Sequence, residues 1–287
     1  MEKMDNLDKL DFSKIDFDNL TPEEIDQMNE YIGECTGNCD GCGADCHQVT
    51  PKISVYCAAI AGAKGGIGKS VITALLASAL RRRGLTVGII DSDIAMPAIP
   101  HLFGQSGTMP NDGKRISPLD MGNGVKAVSM GLLGSDNNEP CLLGGKESSN
   151  IAAYFWSGTD WQMPDCVLID MPSGIGDIPL ELLTVLPIDQ MIVVTTPGEL
   201  SAAMIRKSVR LFKMLLLPIR GVIENMSIGD NNSISLLEDD KLNLLAKIPY
   251  DPDLAMAADE GKLGNYICEP IESVAEQMAA DIKKMKK

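Results

Sequence analysis

Hydrophobic positions follow two different patterns along this chain, and the change comes near residue 53. From there onward, short apolar runs alternate with longer stretches whose apolar residues recur at helical spacing. The alternation predicts a parallel sheet covered on both faces by helices. The predicted strands are residues 53–61, 86–91, 125–130, 166–170, 191–196, 220–225 and 244–249, and the clearest predicted helices are residues 69–83, 199–217 and 271–286.

The first 52 residues lack this alternation, so we expect an N-terminal extension followed by one α/β domain over residues 53–287. Residues 1–34 are acidic and hold few large apolar side chains. The sequence T-P-E-E at 21–24 favours a short helix over residues 22–32, because it supplies an N-cap, a proline and two acids in the first turn. A solvated acidic tail explains the same composition. Residues 35–52 form a cysteine-rich module and a connector.

Composition narrows the classes of function. Hydrophobic residues make up 45% of the chain and charged residues 23%, as in a globular protein. A net charge of −15 and only 4% aromatic residues disfavour binding to nucleic acid or to an anionic membrane surface. No apolar run has membrane-spanning length, and the first residues do not resemble a signal peptide. We therefore expect a cytoplasmic protein without stable membrane association.

The strongest motif is A-K-G-G-I-G-K-S at residues 63–70, between a predicted strand and a predicted helix. Glycines let backbone N–H groups converge on phosphate oxygens, and the helix N-terminus adds positive potential. The alternative is an ordinary glycine-rich turn, and Ala63 departs from the general motif, which has glycine there. The residues predicted to bind ATP through this loop are Gly65, Gly66, Ile67, Gly68, Lys69 and Ser70.

Residues in and near this loop are predicted to bind the phosphates and Mg²⁺. Lys69 is expected to lie against the β- and γ-phosphates, and the Ser70 hydroxyl is expected to ligate Mg²⁺. Asp170 ends a buried strand and is the natural aspartate to hold the same Mg²⁺ through water, although an aspartate there could merely cap the next helix. Gly174 can present its N–H to the γ-phosphate.

The chemistry that these groups support is hydrolysis of the γ-phosphate by a positioned water. The transition state would be stabilised mainly by positive charge. Nothing in the sequence resembles a strong general base, so we expect a slow ATPase.

Four of the eight cysteines are clustered with C-x3-C-x2-C-x3-C spacing. In a reducing compartment such as the cytoplasm, clustered cysteines indicate metal binding more readily than disulfides. A glycine-rich loop this short can wrap a [4Fe–4S] cluster. Zinc held by four thiolates is the alternative, and a redox dithiol or a metal-free loop is a third possibility. The clustered residues are Cys35, Cys39, Cys42 and Cys46, and no function is assigned to the scattered Cys57, Cys141, Cys166 and Cys268.

The stretch K-G-G-I-G-K-S resembles the deviant Walker A motif of the MinD/ParA-like P-loop NTPases. This resemblance implies a doubly wound, mostly parallel sheet of the P-loop NTPase type, with helices on both faces. It also implies that Lys64 is the signature lysine that contacts phosphate across a homodimer interface, although a solvent-facing structural lysine is the alternative. The segment beyond Asp91 resembles the family's switch I, in which the position of Asp93 orients the attacking water or a magnesium-bound water.

Further stretches resemble the Mrp/Nbp-type ATP-binding iron–sulfur cluster carriers, and this resemblance runs roughly from Ile53 to the C-terminus. It implies delivery of a cluster to apoproteins. It also implies that Asn225 hydrogen-bonds the adenine edge, with a plain strand-end asparagine as the alternative. The stretches are D-S-D-I-A-M-P-A-I-P-H-L-F-G (91–104), S-M-G-L-L (129–133), L-I-D-M-P-S-G-I-G-D (168–177), V-V-T-T-P-G-E-L (193–200) and G-V-I-E-N-M-S (221–227).

Two departures from that pattern affect the expected mechanism. Such carriers usually have a C-x-x-C pair shortly after E-N-M-S, through which two subunits bridge a labile cluster, whereas residues 227–240 contain no cysteine. The usual P-P-G-T-G-D is replaced by P-S-G-I-G-D at 172–177, beside the expected γ-phosphate. Either the N-terminal cluster is the only one, or this protein has left the carrier role. Two competing hypotheses also stay open: a nucleotide-dependent MinD/ParA-like switch, and a reductase-type partner whose bound cluster changes potential with the dimer.

Overall fold

A single sheet organises the computed structural model, which describes residues 55–110, 115–133, 145–229 and 242–286. The strand order is β3-β4-β2-β5-β1-β6-β7-β8, and every neighbouring pair is parallel except β3 with β4. The strands are β1 (Tyr56–Ala61), β2 (Val87–Asp91), β3 (Leu119–Asp120), β4 (Lys126–Val128), β5 (Cys166–Asp170), β6 (Gln190–Thr195), β7 (Ile219–Ser227) and β8 (Leu244–Pro249).

Helices connect the strands and cover the sheet. Helix α1 packs against α7, whereas α3 packs against α4, so the helices form separate groups around the strands. The helices are α1 (Lys69–Arg82), α2 (Ile99–Leu102), α3 (Gly145–Ser157), α4 (Asp177–Val185), α5 (Glu199–Met214), α6 (Pro252–Asp259) and α7 (Glu269–Met285), with 3-10 turns at Met130–Leu132 and Leu263–Asn265. The predicted doubly wound, mostly parallel α/β fold is confirmed.

The central strands are buried along their whole length, which explains why the hydrophobic pattern located them well. Every residue of β1, β2 and β5 is buried, because helices cover the sheet. The predicted strand 125–130 was too long, since the chain leaves the sheet after Val128 and Ser129 caps a 3-10 turn. The two-residue antiparallel strand β3 is too short to produce a periodic signal.

The N-terminal predictions lie outside the described residues. These are the helix over 22–32 and the cysteine module at 35–46, and both stay predictions. The described chain begins immediately before β1, and β1 leads straight into the phosphate loop.

Candidate functional site

The predicted phosphate loop connects the end of β1 to the start of α1. Gly66 and Gly68 have φ angles of +74° and +87°, a left-handed backbone that glycine adopts without a steric penalty. Ile67 is buried and anchors the loop from below, whereas Gly65 and Gly66 are exposed at its apex. Helix α1 begins at Lys69 with no acidic residue in its first turn, so its N-terminus keeps the positive potential that favours an anion.

Lys69 has its ammonium group at the base of this loop. Only 7% of the residue is exposed, and its Nζ donates to Ser173 Oγ at 2.7 Å and to the Lys64 carbonyl oxygen at 3.4 Å. Burial lowers the pKa of Lys69, while the charges of Asp170 and Asp93 act in the opposite direction. The two carboxylates therefore lie close enough to stabilise the charged lysine, as a phosphate-binding ammonium requires.

Asp170 lies behind Lys69 at the end of β5 and is almost fully buried. Its Oδ1 accepts a hydrogen bond from Thr73 Oγ1 at 3.1 Å, and its carboxylate is also hydrogen-bonded to the Ser70 hydroxyl. Burial raises the pKa of Asp170 to about 6, against the effect of these hydroxyls and of Lys69. The Ser70 hydroxyl and the Asp170 carboxylate are hard oxygen groups of the kind that Mg²⁺ prefers, so the residues present fit that ion.

Asp91 and Asp93 have different environments although they lie two residues apart. Asp91 is completely buried, and its Oδ2 accepts from Ile99 N at 3.2 Å and from Ser129 Oγ at 2.9 Å. These bonds brace the loop beyond β2. Asp93 is only partly buried, accepts from Met96 N and is held near Lys69 by charge, although burial raises its pKa. Of the two, Asp93 is the carboxylate that is partly open to solvent, and its role in orienting a water stays a prediction.

Lys64, the second lysine of the loop, lies towards the β6 side. Its Nζ donates to Ser201 Oγ at 2.9 Å, and that hydroxyl is within 3.0 Å of Thr196 Oγ1. Ser201 lies in the first turn of α5, which follows β6. The lysine is thus held by its own chain at the rim of the site.

Gly174 follows β5 and contacts the chain immediately before the phosphate loop. Its N–H already donates to the Gly62 carbonyl oxygen at 3.1 Å, so a bond to a phosphate requires a change of partner. Its φ of +90° and the empty space around the position of a Cβ agree with a segment that changes conformation easily. The contact of Gly174 with a γ-phosphate stays a prediction.

Asn225 is buried behind the phosphate loop rather than displayed on the surface. Its Nδ2 donates to the Ile67 carbonyl oxygen at 3.0 Å, and a Cβ at Gly68 would meet the same nitrogen at 2.4 Å. The described contact therefore braces the loop, while the predicted bond to adenine is not tested by it.

Replacing Asn225 by aspartate is expected to weaken ATP binding about tenfold, because a buried acceptor would then face the Ile67 carbonyl oxygen. Isothermal titration calorimetry measures the change. Asn225→Ala removes the donor without adding a charge and should cause a smaller loss. Equal affinities in all three proteins would show that the brace does not shape the loop.

Sequence reasoning missed the hydroxyl groups that hold the charged side chains. Thr73 holds Asp170, Ser129 holds Asp91, and Ser173 and Ser201 hold the two lysines. Thr73 could have been found, because it lies one helical turn after Lys69 on α1. The serines carry no signal in the sequence, since their partners are distant in the chain.

The described cysteines do not form a second metal site. Cys57, Cys166 and Cys268 are buried free thiols, and burial raises the pKa of Cys166 to about 12 and also raises those of the other two. Within the described ranges, no group of three or more cysteine, histidine or acidic side chains could hold a metal ion. In those ranges no helix combines the length and hydrophobicity needed to span a bilayer.

The sheet is mostly parallel, a glycine-rich loop joins β1 to α1, and a buried lysine lies beside the aspartate that ends β5. These features together define a P-loop NTPase. The sequence profile described as NUBPL iron-transfer P-loop NTPase matches residues 54–285. The iron–sulfur cluster carrier protein of Methanococcus maripaludis is 34% identical over 258 residues, covering 79% of this chain and 89% of that protein. The chain therefore belongs to the family of iron-transfer P-loop NTPases.

Other relatives and solved structures agree with this assignment. The iron–sulfur cluster carrier protein of Methanocaldococcus jannaschii is 34% identical, with 80% of this chain and 90% of that protein covered. The nucleotide-binding protein of Archaeoglobus fulgidus, solved in complex with ADP, has a TM-score of 0.67 and 27% identity over 77% of this chain and 96% of that chain. MinD of Pyrococcus horikoshii, complexed with Mg-ADP, shares the fold, with a TM-score of 0.58 and 21% identity over 78% of this chain and 96% of that chain.

Proposed function

We propose that this protein is a homodimeric, slowly hydrolysing ATPase that binds a [4Fe–4S] cluster and passes it to apoproteins. The observation that carries the proposal is the convergence of Lys69, Ser70 and Asp170 at the ends of two neighbouring strands, in a chain of the iron-transfer family. Phosphates, a magnesium ion and an attacking water would need these groups in this arrangement.

Each part of the site has one task in this proposal. Backbone N–H groups of residues 65–70 and the Lys69 ammonium bind the phosphates, and Asp93 orients the water. Ser70 and Asp170 would hold Mg²⁺, which supplies charge compensation at the phosphates when it is bound. Near the loop, the described residues include no histidine, so slow turnover remains the expectation.

The cluster is the cargo in this proposal, and it is assigned to Cys35, Cys39, Cys42 and Cys46 because of their spacing and the iron-transfer family. Zinc in the same thiolates is the competing occupant. Residues 227–240 contain no cysteine pair, so the N-terminal cysteines are the one cluster site of the proposed carrier, and departure from the carrier role is the alternative. The net charge of −15 supports protein recipients rather than nucleic acid.

One experiment tests the function as a whole. Protein purified without oxygen is analysed for iron, sulfide and zinc, and is then incubated with an apoprotein that accepts a [4Fe–4S] cluster, with and without ATP. We expect broad absorption in the blue, four irons per site and transfer that depends on nucleotide. Colourless protein with stoichiometric zinc would remove both the carrier and the reductase hypotheses, and iron that never leaves the protein would favour the reductase type.

Dimerisation gives a separate prediction for Lys64. Lys64→Ala should retain ATP binding but lose about a hundredfold in hydrolysis rate, because a charge is removed from the transition state rather than from the bound nucleotide. Mixing Lys64→Ala with Asp93→Asn should restore hydrolysis to about a quarter of the original rate, since random pairing gives half mixed dimers with one complete site each. No recovery in the mixture would show that Lys64 acts within its own chain.

A further inference from the structure

Ser173 occupies a place in the site that its sequence position did not reveal. Its Oγ lies 2.7 Å from Lys69 Nζ, and a Cβ placed on Gly65 would lie 3.6 Å from that same oxygen. The hydroxyl therefore lies between the ammonium group and the backbone of the glycine loop. Both of these are groups that the terminal phosphate of a nucleotide must reach.

A second bond holds the same segment on the loop. The N–H of Gly174 donates to the Gly62 carbonyl oxygen at 3.1 Å, so adjacent residues make one side-chain and one backbone contact with the phosphate loop. Ser173 and Gly176 are exposed. At the other end of the segment, the Gly176 carbonyl oxygen accepts from Leu180 N at 3.1 Å at the start of α4, which has no side-chain cap. Residues 173–176 are thus attached to the phosphate loop at one end and to α4 at the other.

We propose that Ser173 is an internal competitor of the terminal phosphate and thereby sets the affinity and the rate of nucleotide binding. Its hydroxyl accepts from Lys69 until a phosphate oxygen replaces it, and the replacement releases residues 173–176 at the start of α4. The inference rests on the nucleotide-binding role proposed above. The pattern that the chain resembles has proline at this position, and proline has no hydroxyl, so that pattern does not supply this contact.

The electrostatics agree with an exchange of partners rather than with a fixed structural bond. Lys69 is buried, and burial lowers its pKa because it disfavours the charged ammonium. A strong hydrogen-bond acceptor within reach therefore stabilises the charged form. A neutral hydroxyl is a weaker partner for the Lys69 ammonium than a phosphate oxygen, because the phosphate adds the attraction of opposite charges to the hydrogen bond. Ser173 can therefore hold the lysine in place and still be displaced by a nucleotide.

The test compares Ser173→Ala with Ser173→Thr in the full-length chain, by stopped-flow measurement of a fluorescent ATP analogue. Loss of the hydroxyl should raise the association rate constant and the affinity by about tenfold or more, the value of one hydrogen bond to a charged group. The dissociation rate constant should stay unchanged, because the hydroxyl does not contact the bound nucleotide. Threonine keeps the hydroxyl and should restore the original association rate.

Three results would overturn the proposal. An unchanged association rate in Ser173→Ala shows that the hydroxyl does not compete with phosphate. Faster dissociation in that variant shows that the hydroxyl instead holds the bound nucleotide. If the unaltered chain binds no ATP analogue, the proposed nucleotide-binding function fails along with this inference, and the first two results arise only when that function holds.

Discussion

Replacement of Lys69 by alanine is expected to abolish nucleotide binding, with an affinity loss of about thirtyfold or more. The ammonium group is buried between the phosphate loop and Ser173, and in the described chain no other side chain donates at that point. Removing one member of a buried, hydrogen-bonded charge pair costs roughly 2–5 kcal/mol, and 1.4 kcal/mol corresponds to a factor of ten in affinity. Equilibrium titration with ATP measures the loss.

A matched control separates this effect from a general loss of charge. Lys262 is exposed on the surface, where its Nζ pairs with Glu260 at 2.7 Å, so Lys262→Ala should leave ATP affinity unchanged. Thermal unfolding of both variants checks that each remains folded, since Lys69 also stabilises Asp170 and Asp93. Unaltered ATP affinity in Lys69→Ala would mean that the loop has been assigned the wrong role.

Replacement of Cys39 and Cys42 by serine is expected to remove essentially all iron and sulfide while ATP affinity is retained. Two of four thiolates cannot hold a cluster. The phosphate loop, by contrast, depends on contacts with residues that follow β5 and β6 and with a residue of β7 in the described chain. Iron and sulfide analysis of protein kept from oxygen, together with ATP titration, measures both quantities on one sample.

Cys268→Ser is the matched control for this variant. Cys268 is the N-cap residue of α7, a position at which serine is favoured, so the change should preserve both iron content and stability. Simultaneous loss of iron and of ATP binding in the double variant would show that the cysteine module is structural rather than a separate site for cargo.

The sheet and the loop could be predicted because each of them depends on local sequence. Strands β1, β2 and β5 are continuous apolar runs, because both faces of the sheet are covered. The loop contains glycines because its backbone has positive φ angles that other residues avoid. Asp170 could be placed because it ends such a run. The carboxyl ends of parallel strands lie at one edge of the sheet, where ligands bind, so a residue that ends a strand there is a candidate for the site.

The partners of the two lysines could not be predicted, because they depend on the strand order. Lys69 and Ser173 are separated by 104 residues, and Lys64 and Ser201 by 137 residues. These contacts exist because β1 lies between β5 and β6, so the loops after those two strands flank the phosphate loop. A hydrophobic pattern identifies strands but does not order them, and serines in loops are too common to stand out. The buried position of Asn225 was missed for the same reason.

The pairing of β1 on both of its edges also restricts how this strand can move during nucleotide turnover. This strand is the only covalent link between the cysteine module and the phosphate loop, and it is hydrogen-bonded to β5 along one edge and to β6 along the other. A strand that is hydrogen-bonded on both edges cannot shift along its own axis unless the backbone hydrogen bonds on both edges break. Movement caused by nucleotide turnover is therefore expected in the loops at the ends of the strands rather than in β1 itself.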